Sequence, residues 1–600
     1  MYLERSVAGG ETTSQERRDG KQPDNRILGH VVHCDGARAT IAATAVGDSA
    51  NGWAVGRLVS INLGVTRTVG LVYSVEAPQA WREDADNPIR VMVELVGEVR
   101  DQRDRATFDR GITVYPHVGA EAHRIRTGDL EAVYHLGGQN SVSIGQLSQD
   151  ESIMARIAMD TTLNRHFAVL GTTGVGKSSA VALLLHKAIE ARPDLRVLIL
   201  DPHNEFAQAF PDKAIRIDTT VLDLPFWLFT LEEMVEVLFH GREPVAEEVD
   251  LLRDLIPEAK QIYRGTAANS VIRRVLDANA VTADTPVPYR MADLVKLIDD
   301  RLGLLDAKTI RPALRAIRLR LDSAMNDPRY RFMFASNMVE DTIHQTIGRI
   351  FRVPHEGRPV TCFELAGMPS EVVNSVCSVL ARLAFDIAMG ANGRLKLLVL
   401  CEEAHRYMPA DPRLGFAPTR HALSRIAKEG RKYGCYLGVV TQRPGELDPT
   451  VLSQCSTIFA MRLANERDQD IIRSAIADSS ASSLTFLSAM GQREAIAFGE
   501  GVATTMRMKF ERLPADKLPG AARRGEASGS PLDDGDDIDM HGIVDRLRGQ
   551  GRPSGAFDHG PEPLRSASAP IRQAGEPGYR SAADRGTGGR EDFSFRRLYE

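Results

Sequence analysis

The eight residues Gly171-Thr-Thr-Gly-Val-Gly-Lys-Ser constrain this chain more than any other part of it. They fit the pattern G-x4-G-K-[ST] and stand between an apolar run, "HFAVL", and a second, "AVALLL", that opens a helix. That setting gives the pattern a mechanism. Glycines let backbone N–H groups curl round phosphates at a helix N-terminus, where the helix dipole already favours an anion. Gly171, Thr172, Thr173, Gly174, Val175, Gly176, Lys177, Ser178 and Ser179 are therefore predicted to bind ATP or GTP. In such loops the lysine, here Lys177, reaches the β- and γ-phosphates, and the hydroxyl at Ser178 holds Mg²⁺.

From about Leu147 buried strands alternate with helices, the texture of a mainly parallel sheet. The predicted strands are "HFAVLG", "RVLILD", "VTCFEL", "LKLLVL", "YLGVVTQ" and "TIFAMRL". The fold class is α/β, with a RecA-like P-loop core over residues 121–230 and 336–512. Between its two parts, residues 231–335 read as helical throughout, with charged faces such as "EEVDLLRDLIPEAKQIY". That is too long for one crossover and is expected to be a helical insertion. Residues 26–120 differ in texture: short β-like runs broken by Gly and Asp predict a small β-barrel, closed by "FDRGITVYPHVGAEAHRIR". Residues 1–25 have no periodicity, and residues 513–600 turn to Gly, Pro, Ser, Arg and Asp around an acidic cluster, "PLDDGDDIDM". Both read as disordered, although the final "EDFSFRRLYE" regains aromatics that could dock on a neighbouring surface.

Composition narrows the setting. The 600 residues suit several domains, and 43% apolar with 26% charged residues is the balance of a soluble protein. No apolar run approaches the roughly 18–20 residues of a membrane span. The first residues lack the apolar stretch of a secretory signal. The six cysteines are scattered, with no CxxC pair, and read as buried free thiols of a reduced, cytoplasmic protein. A net charge of −6 gives no global attraction to nucleic acid. Contact with DNA would have to rest on a local basic surface, such as the lining of a ring.

Hydrolysis needs an acid as well as a phosphate cradle. "LKLLVLCEEAH" is a buried strand that delivers Glu402 and Glu403 at its C-terminal end, where ligand sites of open α/β sheets lie. Glu402 is expected to fix the Mg²⁺ shell, and Glu403 to orient and activate the attacking water. The metal-side position more often holds Asp, and Glu402 is one methylene longer. "VVTQRP" ends another strand with Gln442, placed to sense the γ-phosphate. Asp201, His203 and Glu205 in "LILDPHNEF" crowd a further strand tip, where a polar turn and a metal set are equally open readings.

Taken in order behind a β-barrel, "NRHFAVLGTTGVGKSS", "DPHNEF", "CFELAGMPSEVV", "LVLCEEAHRYMP" and "EGRKYGCYLGVVTQRPGELDPTVLSQCSTIFAMRLANERDQ" resemble the HerA branch of the HerA–FtsK superfamily. Members of that branch are ring-shaped ATPases that pump duplex DNA. The likeness covers about residues 26–510; Asn204 and Phe206 stand where the family often has Gly and Tyr. The resemblance implies a homohexamer with each ATP between subunits, completed by an arginine of the neighbour. In "AKEGRKYG" that arginine is expected to be Arg431, with Lys428 and Arg425 in reserve, and Arg165 is a further cation expected to act in cis. It also implies double-stranded DNA as the track. The barrel is then the platform for a partner, either a NurA-type nuclease in DNA end processing or an effector enzyme in antiphage defence.

Two other functions stay open. A motor of the secretion or conjugation type is disfavoured by the lack of a membrane span. A nucleotide-gated scaffold has no need of Lys177, Glu403, Gln442 and Arg431 together. The basic runs "RIRTGDL", "RAIRLRL" and "RFMF" single out no DNA-binding residue.

Overall fold

The structure is a computed structural model. It describes residues 27–45, 53–78, 80, 87–102, 105–137, 140–218, 221–222, 224–266, 281–304, 309–334, 342–475 and 487–520. The arm 1–25 and the tail beyond residue 520, including "PLDDGDDIDM" and "EDFSFRRLYE", lie outside the described residues.

Seven strands open the described chain: β1 (Ile27–Cys34), β2 (Arg38–Ala45), β3 (Leu58–Asn62), β4 (Thr66–Glu76), β5 (Asn87–Gln102), β6 (Arg105–Asp109) and β7 (Glu121–Arg124). They run in the order β2-β1-β7-β3-β4-β5-β6, and β5 pairs back onto β2, so six of them close an antiparallel barrel. Closure leaves no free edge within the ring, and β6 extends β5 outside it. Inward-facing Val31, Ile41, Val59, Ile61, Val91 and Val93 fill the interior. β7 enters between β1 and β3, so the barrel runs past the expected limit at residue 120.

The chain then forms α1 (Thr127–Val133), β8 (Ser141–Leu147), β9 (Met154–Ala158), α2 (Met159–Asn164), β10 (His166–Leu170), α3 (Lys177–Ala191), β11 (Leu195–Asp201) and β12 (Ala214–Ile217). Helices follow: α4 (Leu231–Phe239), α5 (Ala246–Thr266), α6 (Met291–Gly303), α7 (Arg311–Asn326), α8 (Arg331–Phe334) and α9 (Ile343–Phe351). The remainder is β13 (Val360–Glu364), α10 (Ser370–Gly390), β14 (Lys396–Cys401), α11 (Ala417–Tyr433), β15 (Cys435–Thr441), α12 (Pro449–Ser453), β16 (Cys455–Ala460), α13 (Glu466–Ala475), β17 (Glu494–Gly499) and β18 (Met506–Phe510).

Eleven of these strands form one sheet, β12-β13-β11-β14-β15-β10-β16-β17-β18-β8-β9. It is parallel from β12 to β16 and antiparallel beyond, so the mainly parallel α/β core is present with an antiparallel flank the sequence did not announce. Alternation splits the parallel strands between two cores. Leu198, Leu200, Leu397 and Val399 face the side of α4, α10 and α11, while Val197, Ile199, Leu398 and Leu400 face the side of α3.

The segment 231–335 is not helical throughout. Residues 281–290 run between α5 and α6 without helix, and the fully buried Lys260 holds them, its ammonium donating to the carbonyls of Thr282, Ala283 and Thr285 at 3.2, 2.6 and 2.7 Å. The apolar faces of these helices join the same core as the sheet. At Glu233 on α4 the seam is polar: its carboxylate accepts from Ser378 Oγ at 2.7 Å and from Arg382 Nη2 at 2.8 Å, both on α10. One helix, α10, is long and apolar enough to cross a membrane, contrary to the reading of the sequence, but 67% of its apolar window is buried inside the protein.

Candidate functional site

Strand order brings the chemistry-bearing loops together at the C-terminal edge of the sheet. β10 lies between β15 and β16, and β14 lies on the far side of β15. The register sets Leu170 beside Thr441 and Cys401 beside Val439. Neighbouring strands lie ~4.8 Å apart, so the phosphate loop and the acidic strand end are separated by roughly 10 Å across β15. That gap suits a terminal phosphate and a water.

The loop is suspended from the sheet by its backbone. Thr172 N donates to Arg462 O at 2.9 Å, Gly171 N to Thr441 O at 3.3 Å, and Arg493 N to Val175 O at 2.9 Å. Val175 is fully buried beneath it. Gly174 and Gly176 take φ of 78° and 102°, the left-handed region that favours glycine. A Cβ on Gly171 would come within 2.8 Å of Met461 Cβ, so the turn has no space for a side chain there. Gly176 caps α3 without a capping side chain, and Lys177, Ser178 and Ser179 occupy the first turn behind it. Lys177 folds back to Thr172 O at 3.1 Å. Burial lowers its pKa, opposed by the charges of Glu403, Glu402 and Glu205. Across the cleft, Thr173 Oγ1 hydrogen-bonds Gln442 Oε1.

Glu402 and Glu403 are only 5% and 7% exposed. Glu403 takes φ 49°, a conformation non-glycine residues rarely adopt, and it turns the chain sharply out of β14. Burial, then Asp201, Glu205 and Glu403, hold the Glu402 carboxyl protonated far above the usual carboxylate range. Glu402 Oε2 and Glu403 Oε2 are both buried without a hydrogen-bond partner. Such a cluster is short of positive charge, and orphaned carboxylate oxygens suit a divalent cation. Among the described residues no group of three or more His, Cys, Asp or Glu could hold a metal alone. The set fits Mg²⁺, which draws most of its ligands from water and phosphate, with Ser178 and Glu402 on the protein side.

Sequence reasoning left three neighbours without a role. Asp201 is fully buried; it accepts from His203 N at 3.2 Å and Phe206 N at 2.9 Å, so it shapes the turn and presses its charge on Glu402. His405 Nδ1 stands 3.0 Å from Thr441 Oγ1 and 3.4 Å from Glu403 Oε2, and burial keeps its pKa low. His203 Nε2 lies 4.0 Å from Glu403 Oε1. The "EEAH" tetrapeptide was the available signal for His405.

The cations fall elsewhere. Arg431 is exposed on the last turn of α11, beside the N-terminal ends of β10 and β15. The length of β10, about 16 Å for five residues, separates that edge from the phosphate loop of the same chain. Lys428 is exposed on the same helix. Arg425 lies over the Phe385 ring at 4.1 Å and 3.5 Å from Asp386, so it is engaged with α10. Arg165, expected to act in cis, instead immediately precedes β10 at the end remote from the phosphate loop and pairs with Glu500. The basic run on α7 is largely structural: Arg318 pairs with Asp299 and Asp322, and Arg320 pairs with Glu248 while covering Phe239.

A glycine-rich phosphate loop at a helix N-terminus, facing a buried acidic strand end across one intervening strand, defines a P-loop ATPase with a RecA-like core. Residues 142–384 match the family described as "Helicase HerA, central domain". The DNA double-strand break repair helicase HerA of Pyrococcus furiosus is 26% identical over 450 residues, covering 70% of this chain and 75% of that protein. The protein of the same name from Saccharolobus solfataricus is 25% identical over 407 residues, covering 67% and 74%. VirB4 of Thermoanaerobacter pseudethanolicus is similar at 16% identity with a TM-score of 0.44, covering 64% of this chain and 99% of that one. The chain is a HerA-type ATPase.

Proposed function

We propose that this protein is a ring-forming motor, most simply a homohexamer, that hydrolyses ATP to translocate on or unwind double-stranded DNA. It works in the cytoplasm with a partner nuclease or effector enzyme held on its barrel. The names of its relatives support the DNA substrate. One structural observation supports the ring: Arg431 is exposed at the opposite end of β10 from its own phosphate loop. Among the described residues no carboxylate pairs with it. A cation so placed can serve only a nucleotide held by a neighbour, and repetition of that head-to-tail contact closes a ring.

Within one site the roles follow from position. Backbone N–H groups of Gly171–Ser179 cradle the phosphates, and Lys177 exchanges its contact with Thr172 O for the β/γ-phosphate oxygens. Mg²⁺, held by Ser178 and Glu402 with the nucleotide, supplies neutralisation of charge on the phosphate oxygens. Glu403 orients the attacking water and accepts its proton, with His405 steadying the carboxylate. Gln442, bonded to Thr173 before nucleotide arrives, is released to meet the γ-phosphate. Arg431 of the neighbouring subunit stabilises charge on the transferring group.

The test is steady-state ATP hydrolysis with and without linear duplex DNA, beside Lys177→Ala. The expected outcome is stimulation by duplex that disappears in the variant. Hydrolysis indifferent to duplex would sink the autonomous DNA motor and favour a nucleotide-gated scaffold or a protein pump.

A further inference from the structure

The turn of helix that carries Arg431 is fixed by a residue far from any phosphate. His166, the first residue of β10, is 4% exposed. Its Nδ1 accepts the backbone N–H of Leu437 on β15 at 2.9 Å, and the backbone of Ala427 on α11 is a second hydrogen-bond partner of the ring. One imidazole thus joins the strand that leads into the phosphate loop, the strand that ends at Gln442, and α11. Ala427 and Arg431 are four residues apart, one turn, on the same side of the helix. The Arg431 guanidinium lies near enough to oppose protonation of the ring, which burial already keeps neutral, with a pKa near about 4.

The rest of that turn is equally confined. A Cβ on Gly430 would stand 2.3 Å from Cys435 O, so helix and strand touch backbone to backbone. Gly434 ends the helix at φ 84°, its N–H donating to Gly430 O. Tyr436 OH, one residue before Leu437, bonds Asn164 Oδ1 at 3.1 Å. Every link at this edge is to backbone or to a buried group, while Arg431 itself projects to solvent.

We propose that His166 is a positioning residue for Arg431: it locks the last turn of α11 to β10 and β15, so that the arginine is presented to the neighbouring subunit's nucleotide. The inference rests on the trans role of Arg431 proposed above. It also joins the two ends of β10, because the strand that His166 anchors is the one whose other end forms the subunit's own phosphate loop. Each subunit then holds its own nucleotide and its neighbour's arginine on a single rigid strand.

The test uses the full chain with four variants: His166→Asn, His166→Gln, Arg431→Ala and Lys177→Ala. Asn places an oxygen near the position of Nδ1 and keeps the Leu437 bond but cannot reach Ala427. Gln carries an amide donor about as far out as Nε2. The expected result for His166→Asn is kcat reduced tenfold or more with nucleotide affinity within twofold of wild type, and substantial recovery in His166→Gln. Mixing with Lys177→Ala is the decisive step. Each site needs one subunit's lysine and the next subunit's arginine, so a random 1:1 mixture of two inactive variants with complementary defects regains about a quarter of wild-type activity. His166→Asn mixed with Lys177→Ala should recover as Arg431→Ala mixed with Lys177→Ala does. Wild-type kcat in His166→Asn overturns the proposal. So does activity lost from His166→Asn and unrecovered by mixing when the Arg431→Ala mixture recovers, because the fault then lies in its own phosphate loop or its folding. If the Arg431→Ala mixture also stays inactive, the shared site itself fails and takes the proposal with it.

Discussion

Glu403 carries the sharpest chemical expectation in the protein. It is buried, set at a positive φ, and has one carboxylate oxygen without a hydrogen-bond partner. A carboxylate so held is strained for a purpose other than stability. Glu403→Gln keeps the shape and removes the base, so kcat should fall by about 100-fold or more, the range for loss of a general base. Nucleotide binding, followed by titration of a fluorescent ATP analogue, should change little. Weakened binding with unchanged kcat would place Glu403 on the ground state and leave another group to handle the water. The phosphate loop and the Glu402–Glu403 pair were legible in the sequence because each is a contiguous string whose chemistry is local. Asp201 and Arg165 were not legible in the same way. Asp201 acts through a turn that folds onto the neighbouring strand, and Arg165 is adjacent to the loop's strand in sequence yet a strand's length away in space.

The parallel strands announced themselves because burial on both faces makes each a run of apolar residues: "RVLILD" became β11, "LKLLVL" β14 and "YLGVVTQ" β15. The antiparallel flank did not, since β8, β9 and β18 alternate buried with exposed positions and resemble surface segments. β12 is a four-residue edge strand with only its two ends buried. The α11–β15 unit was visible only as a basic helix before a strand, and its tight joint was not. That joint makes a prediction through two glycines in helices. Alanine at Gly430 would drive a Cβ to 2.3 Å from Cys435 O and force helix from strand, at a cost of about 1–3 kcal/mol. Alanine at Gly390, in the last turn of α10, would meet nothing within 4 Å and should leave stability unchanged or slightly raised. Thermal unfolding of the two variants compares the joint with an open helix end. Equal midpoints would mean that α11 can slide on β15, and a helix that slides cannot hold Arg431 to a fixed position.

A chain of net charge −6 with a buried phosphate cradle at one sheet edge and an unpaired arginine at the other is half of two active sites. Its chemistry therefore depends on how many copies meet. If each nucleotide is completed by a neighbour, specific ATPase activity must fall on dilution, following the loss of assembled subunits. The loss at full dissociation should approach that of Arg431→Ala, on the order of 10³-fold for a trans arginine. Duplex DNA bound by the ring and not by single chains should shift the activity curve to lower protein concentration, because a ligand of the assembled state stabilises assembly. The measurement is hydrolysis per subunit across a dilution series, with and without duplex, set beside analytical ultracentrifugation of the same samples. Activity per subunit that stays constant into the range where only single chains sediment would show the site to be complete in one chain. In that case the place of Arg431 at the far end of β10 would have to serve something other than the nucleotide.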